Sequence, residues 1–468
     1  MSVNSLMNVA KDALASYQMA IDVTGTNIAN VNTPGYSRQR AVLNTLGVVQ
    51  VDTQILQLSV EVETVERIYN AFIEARLVEQ AGYLGYSEAR TDTLEQVETI
   101  FDETGEGGLN DLLGRFWSAW DDISANPGGQ VERDVLLSAS EDLASAFNRL
   151  SKDLTQLQQD TDDATEATIG EINATISEIA SLNQQISSLG QNNGEANILL
   201  DKRMELLRDL GERIDINYYE SQEGTVNIFL GNGKPLVVNI DTWALTVRED
   251  VLTESYAVTF EGSADPDENL NDVLTAKHKG TIAGLIETRD AIENDYLAKL
   301  DELAKYIIDR VNEQHARGFD AYNRVGGEFF IPAGADENIA QNMAVTEAVK
   351  GDVNKIAASA TVSGDGDNAR SIANLKNALT MSGNKATFGD FYGALVSRIG
   401  QDSADAGRLR EHQNTLMENL VNRREEISGV SLDEEMMNLV KYQLAYNAAA
   451  RLCTTADELF EVLVNLGN

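Results

Sequence analysis

The chain has 468 residues, with 75 acidic against 36 basic side chains and a formal net charge of -39. That length allows two to four domains, and so acidic a balance disfavours nucleic acid or an anionic membrane as the main partner. Hydrophobic residues make up 43%, aromatics only 6%, and there are five prolines, which favours long helices over a compact β-rich enzyme. The single cysteine, Cys453, excludes an intramolecular disulfide. Residues 1–12 lack the basic start and apolar core of a secretory signal, and no stretch is apolar enough to span a membrane. On composition alone the expectation is a cytoplasmic chain.

The first predicted element is a helix over residues 6–31. Its apolar line runs Leu6, Ala10, Ala13, Tyr17, Ile21, Thr24, Ile28 and Val31, in steps of three and four. Such a narrow seam suits pairing with another helix. The helix should stop before Pro34, because proline disfavours the helical region at Thr33 and Gly35 readily supplies a positive φ. Asn32-Thr33-Pro34-Gly35 therefore reads as a turn. Residues 36–62 alternate loosely through Val49, Val51, Ile55, Leu58 and Val60 and look extended. Helical spacing is read as resuming over 64–100 through Val65, Ile68, Phe72, Leu77, Leu84, Leu94 and Val97.

A Gly-rich acidic loop at 101–110 precedes a short helix marked by Leu112, Phe116, Trp117 and Trp120, ended by Asn126-Pro127-Gly128-Gly129. A long helix is predicted over about 131–165, then a heptad segment over 169–189 through Ile169, Ile172, Ile176, Ile179 and Ile186. Asn183 occupies the missing core place, where a polar residue can set register. The other reading turns Asn183 to solvent and puts Leu182 in the seam.

From 214 to 262 the period changes to two, through Val226, Ile228 and Leu230, with Gly231-Asn232-Gly233 as a hairpin turn. This predicts an antiparallel unit of about four strands. Helical pattern returns over 281–317, residues 318–370 read as turns with short strands, and helices broken near Gly383 and Gly429 close the chain. The last is a second seam: Leu432, Leu439, Tyr442, Tyr446, Ala449, Cys453, Ala456, Phe460 and Leu463.

The expected fold class is mainly α with β insertions, nested. Residues 1–35 plus 430–468 form a terminal helical assembly domain. Residues 36–213 plus 275–429 form a helical middle domain, with an irregular segment at about 318–370, and 214–274 form the β insertion.

No catalytic constellation emerges. His278, His315 and His412 are far apart, and none has a His or Cys partner at ligand spacing. A solvated helix-terminal histidine is the expectation for His315. The acidic loop from Asp265 places Leu270 where a calcium loop needs Gly and Ala276 where it needs Glu, and Asp365-Gly366-Asp367-Asn368 departs similarly. Gly231-Asn232-Gly233-Lys234 leads into a strand, not the helix a phosphate loop requires. Cys453 reads as a small apolar seam residue. The expectation is no enzyme, no cofactor and no metal.

The stretch Asn27-Ile28-Ala29-Asn30-Val31-Asn32-Thr33-Pro34-Gly35-Tyr36-Ser37-Arg38-Gln39 resembles the N-terminal signature of the bacterial flagellar rod, hook and hook-associated proteins. Gly429-Val430-Ser431-Leu432-Asp433-Glu434-Glu435, and Val440 to Tyr446 followed by Thr454 to Leu459, are similar to the terminal motif of the same group. Within it, Leu200 to Leu207, Gly224 to Gly233, Leu300 to Ala304 and Val311 to His315 resemble the hook-associated protein 1 family. Ala321-Tyr322 departs from it, standing in a loop that is often Gly-rich there.

The resemblance implies a structural subunit between hook and filament. It would be exported by the flagellar type III pathway without a cleaved signal, reversing the cytoplasmic expectation to an extracellular one. Implied partners are identical subunits in a ring or helical tier, hook protein on one side, hook-associated protein 3 on the other, and an export chaperone beforehand. The nearer alternative is a hook or rod subunit; the more distant one is an adhesin or enzyme carried on the flagellum. The residues expected to carry assembly are Leu6, Ala13, Tyr17, Ile21, Ile28, Asn30, Pro34, Gly35 and Tyr36 at one end, and the second seam from Leu432 to Leu463 at the other.

Overall fold

The structure, a computed structural model, describes residues 3–466 apart from 52–53, 103–106, 190–193, 250–255, 262, 264–267, 335–337 and 362–363. Helix α1 spans Val3–Ala29. It ends in a turn in which Asn30 Nδ2 donates back to Thr26 O and Gly35 adopts φ +76°, a conformation that favours glycine. Strands β1 (Gln39–Val51) and β2 (Gln54–Arg67) then form a long antiparallel hairpin, pairing Gln39 with Arg67 and Val51 with Gln54. The side chains of residues 46–58, including the predicted Val49, Val51, Ile55 and Leu58, lie outside the described residues.

Helix α2 (Ala71–Ile100) begins later than its spacing suggested. Val65 and Ile68 satisfy either period, and the N-cap decides: Asn70 Oδ1 accepts from the N–H groups of Phe72 and Ile73. The hairpin lies along α1, with Ser16 Oγ donating to Val60 O at 2.8 Å and Ser59 Oγ to Asp12 at 2.9 Å. The segment assigned from sequence to the middle of the molecule therefore packs on the N-terminal helix.

Helix α3 (Leu109–Ala125) is followed by α4 (Gln130–Leu189), a single helix of 60 residues where the pattern suggested two. The apolar line thins at Thr161 and Thr165, but both hydroxyls donate to carbonyls one turn back, Leu157 O and Thr161 O. They are thus buried without breaking the ladder. At 1.5 Å per residue α4 is about 90 Å long. Helix α5 (Ala196–Arg213) leads into a four-stranded antiparallel meander of β3 (Ile216–Glu220), β4 (Val226–Leu230), β5 (Pro235–Val238) and β6 (Asp241–Thr242). A separate pair, β7 (Leu245–Glu249) and β8 (Tyr256–Phe260), completes the named strands among the described residues.

After the short α6 (Asn271–Thr275), helix α7 (Thr281–Ala291) passes through a π turn at Ile292–Leu297 into α8 (Ala298–His315). Among its described residues the irregular segment holds α9 (Glu347–Gly351), a 3-10 turn at Val353–Lys355, isolated bridges such as Phe319 with Val325, and the start of α10 (Asp367–Ala373), which a second 3-10 turn at Asn374–Asn377 follows. Helices α11 (Phe388–Ser428) and α12 (Leu432–Leu466) close the chain. Helix α11 opens on a capping box between Thr387 and Asp390.

Two cores fill the body. One joins α3, the first half of α4, α8 and the start of α11 around Phe116, Trp117, Trp120, Phe329, Phe330 and Phe388. The other packs the second half of α4, α5 and α7 on the strands. Between them α2 crosses α5 and α7 with almost no side chain in the way. A Cβ on Gly85 would sit 2.2 Å from Glu212 O, and one on Gly284 2.6 Å from Tyr86 O. Gly85→Ala should therefore force the helices apart and destabilise the body by about 1–3 kcal/mol. A urea midpoint that stays at the wild-type value would show that the crossing has room.

Of two polar residues, Asn183 takes the buried core place that one of its readings gave it, and His315 departs from its solvated reading. Asn183 is 0% and Leu182 3% exposed, so both are buried. Asn183 Nδ2 donates to Val226 O at 2.9 Å and Asn239 O at 2.7 Å, while its Oδ1 accepts from Val226 N. It ties β4 to α4. His315 is 1% exposed rather than solvated, because residues 318–370 fold back over the end of α8. Its ring contacts Gly327 O through Nδ1 at 2.7 Å, and Nε2 accepts from Ala357 N at 2.8 Å.

Candidate assembly site

Helix α12 runs back along α1, with Asn27, near the end of α1, beside Glu435 at the start of α12. On α1 the predicted Leu6, Ala13, Tyr17, Ile21 and Ile28 are half-buried, as is Asn30 in the turn just beyond it. The fully buried line is Ala10, Ser16, Ala20, Thr24 and Asn27. It shares Ala10 and Thr24 with the predicted line and departs from it at Ser16, Ala20 and Asn27, because α1 serves two neighbours, α12 and the hairpin. Pro34 is exposed at the turn, Gly35 half-buried and Tyr36 buried.

On α12, Ala449 and Ala456 are buried, and Leu439, Tyr442, Tyr446 and Cys453 are half-buried. Leu432 and Phe460 are exposed, and the side chain of Leu463 lies outside the described residues. The stripe from Leu439 to Ala456 thus faces α1, while Leu432 and Phe460 project into solvent near its ends.

A second stripe on α12 escaped the sequence reading. Met437, Val440, Leu444 and Val462 are 66%, 55%, 65% and 54% exposed. At 3.6 residues per turn they fall on the side opposite Tyr446, Ala449 and Cys453, flanked by exposed Met436, Leu452 and Leu459. The signal was present as the run Met436-Met437 and the four-residue steps to Val440 and Leu444. A single narrow seam already accounts for a helix at this spacing, so periodicity does not separate the second stripe from the first.

The turn between α1 and β1 is held by a polar cluster. Asn27 Nδ2 donates to Gln39 O at 2.8 Å and to Glu435 at 3.1 Å, and Asn27 Oδ1 accepts from Tyr36 Oη at 2.8 Å and Gln39 N at 2.9 Å. Burial, with Asp201 and Glu435 nearby, pushes the Tyr36 phenol up, so it stays a donor. Arg38 reaches both Glu435 and Glu434 at 2.7 Å. Asp201 on α5 accepts from Ser37 N at 3.0 Å and Arg67 at 2.7 Å. Behind the turn, Glu74 on α2 takes Arg208 from α5 at 2.5 Å and Arg424 from α11 at 3.1 Å. Arg38 and Glu435 belong to terminal motifs visible in the sequence; Glu74, Asp201, Arg208 and Arg424 carry no local signal.

Among the described residues, no group of three or more His, Cys, Asp or Glu could hold a metal ion. None of the helices described is long and apolar enough to cross a membrane.

The family model for the helical domain of the flagellar hook-associated protein FlgK matches residues 94–330, about half of the chain. The chain belongs to the FlgK family. A basal body rod protein model matches residues 7–36, and a C-terminal model of the FlgEFG rod proteins matches 422–466, which are the two ends that pair here. Flagellar hook-associated protein 1 of Bacillus subtilis is 29% identical, with 98% of this chain and 97% of that protein covered. The Escherichia coli protein of the same name is 26% identical, covering 99% and 100%, and that of Salmonella typhimurium 24% over the same shares. A solved structure described as the flagellar hook junction protein FlgK from Burkholderia pseudomallei superposes with a TM-score of 0.66 at 16% identity. It covers 75% of this chain and 100% of its own, and shares the mainly helical fold with β insertions. As a FlgK family member the chain is a structural, hook-associated component of the bacterial flagellum.

Proposed function

We propose that the chain joins hook to filament, assembling as a ring or helical tier through α1 and α12. The observation that carries this reading is the two-faced α12: one apolar stripe is covered by α1, and the opposite one is left in water. Burying a Leu, Val or Met side chain contributes roughly 1.5–3 kcal/mol, and exposed apolar faces of this kind mark contact sites. The occupant is a neighbouring copy of the same chain, since the same helices recur at every position of a tier. Hook protein on one side and hook-associated protein 3 on the other complete the stack.

Export would follow the flagellar type III route with a chaperone covering the terminal helices, and the subunit would act outside the cell as a structural part, without catalysis. Immunogold labelling of intact flagella tests the placement. A single band at the hook–filament boundary is expected; label spread along the hook would make this a hook subunit instead.

A further inference from the structure

The terminal helix pair meets the body through very little covalent structure. Gly429-Val430-Ser431 links α11 to α12, and the turn at 30–38 links α1 to β1. Neither connection is helical, so neither fixes an angle, and the orientation is left to non-covalent ties. One of the deeply buried ties is Arg424, 3% exposed, beside Glu74 at 2%. Its guanidinium divides between body and turn. Nε donates to Glu74 Oε1 at 3.1 Å, Nη2 donates to Gly35 O at 2.7 Å and Tyr36 O at 3.1 Å, and Nη1 donates to Glu425 at 2.5 Å. Glu74 is held in turn by Arg208 from α5.

A buried ion pair is weak evidence of stability, because desolvation offsets the attraction, but it does select one geometry. Here the geometry selected is that of the Gly35–Tyr36 turn against three body helices. A planar fork can serve a carboxylate and two carbonyls together, which a lysine ammonium cannot do in the same directions.

We propose that Arg424 is a positioning residue for assembly: with Glu74 it clamps the Gly35–Tyr36 carbonyls and sets the angle at which the α1–α12 pair leaves the body. The proposal rests on the reading of that pair as the assembly element. In a tier of identical copies an angular error recurs at each contact, so a loose joint impairs assembly even where every contacting surface is intact.

The test uses the full chain with Cys453→Ala, spin-labelled through Asn414→Cys on α11 and Gln443→Cys on α12, both exposed. Pulsed electron paramagnetic resonance reads the distance between body and terminal pair. With Arg424 present a single narrow distribution is expected. Arg424→Gln should broaden or shift it, and capping of isolated hooks should fall by roughly tenfold or more, as loss of a coupled buried contact allows. Arg424→Lys keeps a cation for Glu74 but not the fork; it should broaden the distribution too, and it carries the test if the glutamine variant does not fold.

A narrow wild-type distribution in Arg424→Lys, with capping intact, overturns the clamp. Leu444→Lys separates the two readings: it should abolish capping while leaving the distribution narrow. If Leu444→Lys caps hooks normally, the assembly reading fails while a broadened Arg424→Lys distribution still supports the joint.

Discussion

A subunit carrying both Val440→Lys and Leu444→Lys should fold as the wild type does and fail to assemble. These side chains are 55% and 65% exposed in the monomer. Surface changes of this kind stay within about 0.5 kcal/mol of neutral, so urea midpoint and helicity should not move. In a tier the same two positions would be covered. Each then forfeits roughly 1.5–3 kcal/mol of apolar burial, and two ammonium groups must be desolvated as well. The combined loss weakens each contact on the order of a hundredfold or more. Counting capped hooks by electron microscopy, with sedimentation to confirm a folded monomer, reads the effect. Wild-type capping by the double variant would remove the outer face of α12 from the assembly surface. Ala456→Lys is the contrasting change: Ala456 is 0% exposed against α1, so a lysine there should unseat the helix pair itself.

The ends of the molecule were legible because their signal is local. Steps of three and four from Leu6 to Val31 and from Leu439 to Ala456 need only 3.6-residue geometry to become stripes. The turn at Pro34-Gly35 needs only proline sterics and a positive φ. What one chain's periodicity cannot apportion is how many neighbours a helix has. Helix α1 touches both α12 and the β1–β2 hairpin, so its buried line keeps Ala10 and Thr24 from the predicted one but takes in Ser16, Ala20 and Asn27. Helix α12 shows the converse, an apolar side with no partner among the described residues of its own chain.

The joint was illegible for a different reason. Glu74, Asp201, Arg208 and Arg424 come from three helices, and Arg424 meets the turn 388 residues before it in the chain. Buried polar groups must be paired, but nothing in a stretch of charged residues says which of them the fold will bury. Asn183 illustrates the same limit. Whether an asparagine in a heptad faces solvent or a partner helix was the question posed, and the answer was a third surface, the backbone of β4. Where the sequence alternatives concerned a single element, such as the hairpin turn at Gly231 to Gly233, tertiary structure had little to change.

His315 shows tertiary structure reversing a local reading, and it should make the body sensitive to mild acid. The ring lies 1% exposed among Trp120 and Phe329. Burial pulls its pKa down to about 4, with the nearby Arg133 cation adding to the effect, and the Gly327 carbonyl and Asp320 only partly opposing it. In the unfolded chain the group titrates near its ordinary value of about 6.5. The folded pKa is therefore the lower one. Above about pH 6.5 the ring is neutral in both states, and the stability of the buried neutral form is fully present. As pH falls toward 4 the unfolded chain takes up a proton that the folded chain refuses, and up to about 3 kcal/mol is lost. Below that the loss levels off. Carboxylates titrate over part of the same range, so the reading is a difference between proteins. His315→Gln should start less stable at pH 7, because the Gly327 and Ala357 contacts are imperfectly replaced, and should lose about 3 kcal/mol less than the wild type between pH 7 and 4. Urea midpoints across that range measure it. A gap between the two proteins that stays constant with pH would mean that the ring charges in place, and that the aromatic core around Trp120 admits more water than its packing indicates.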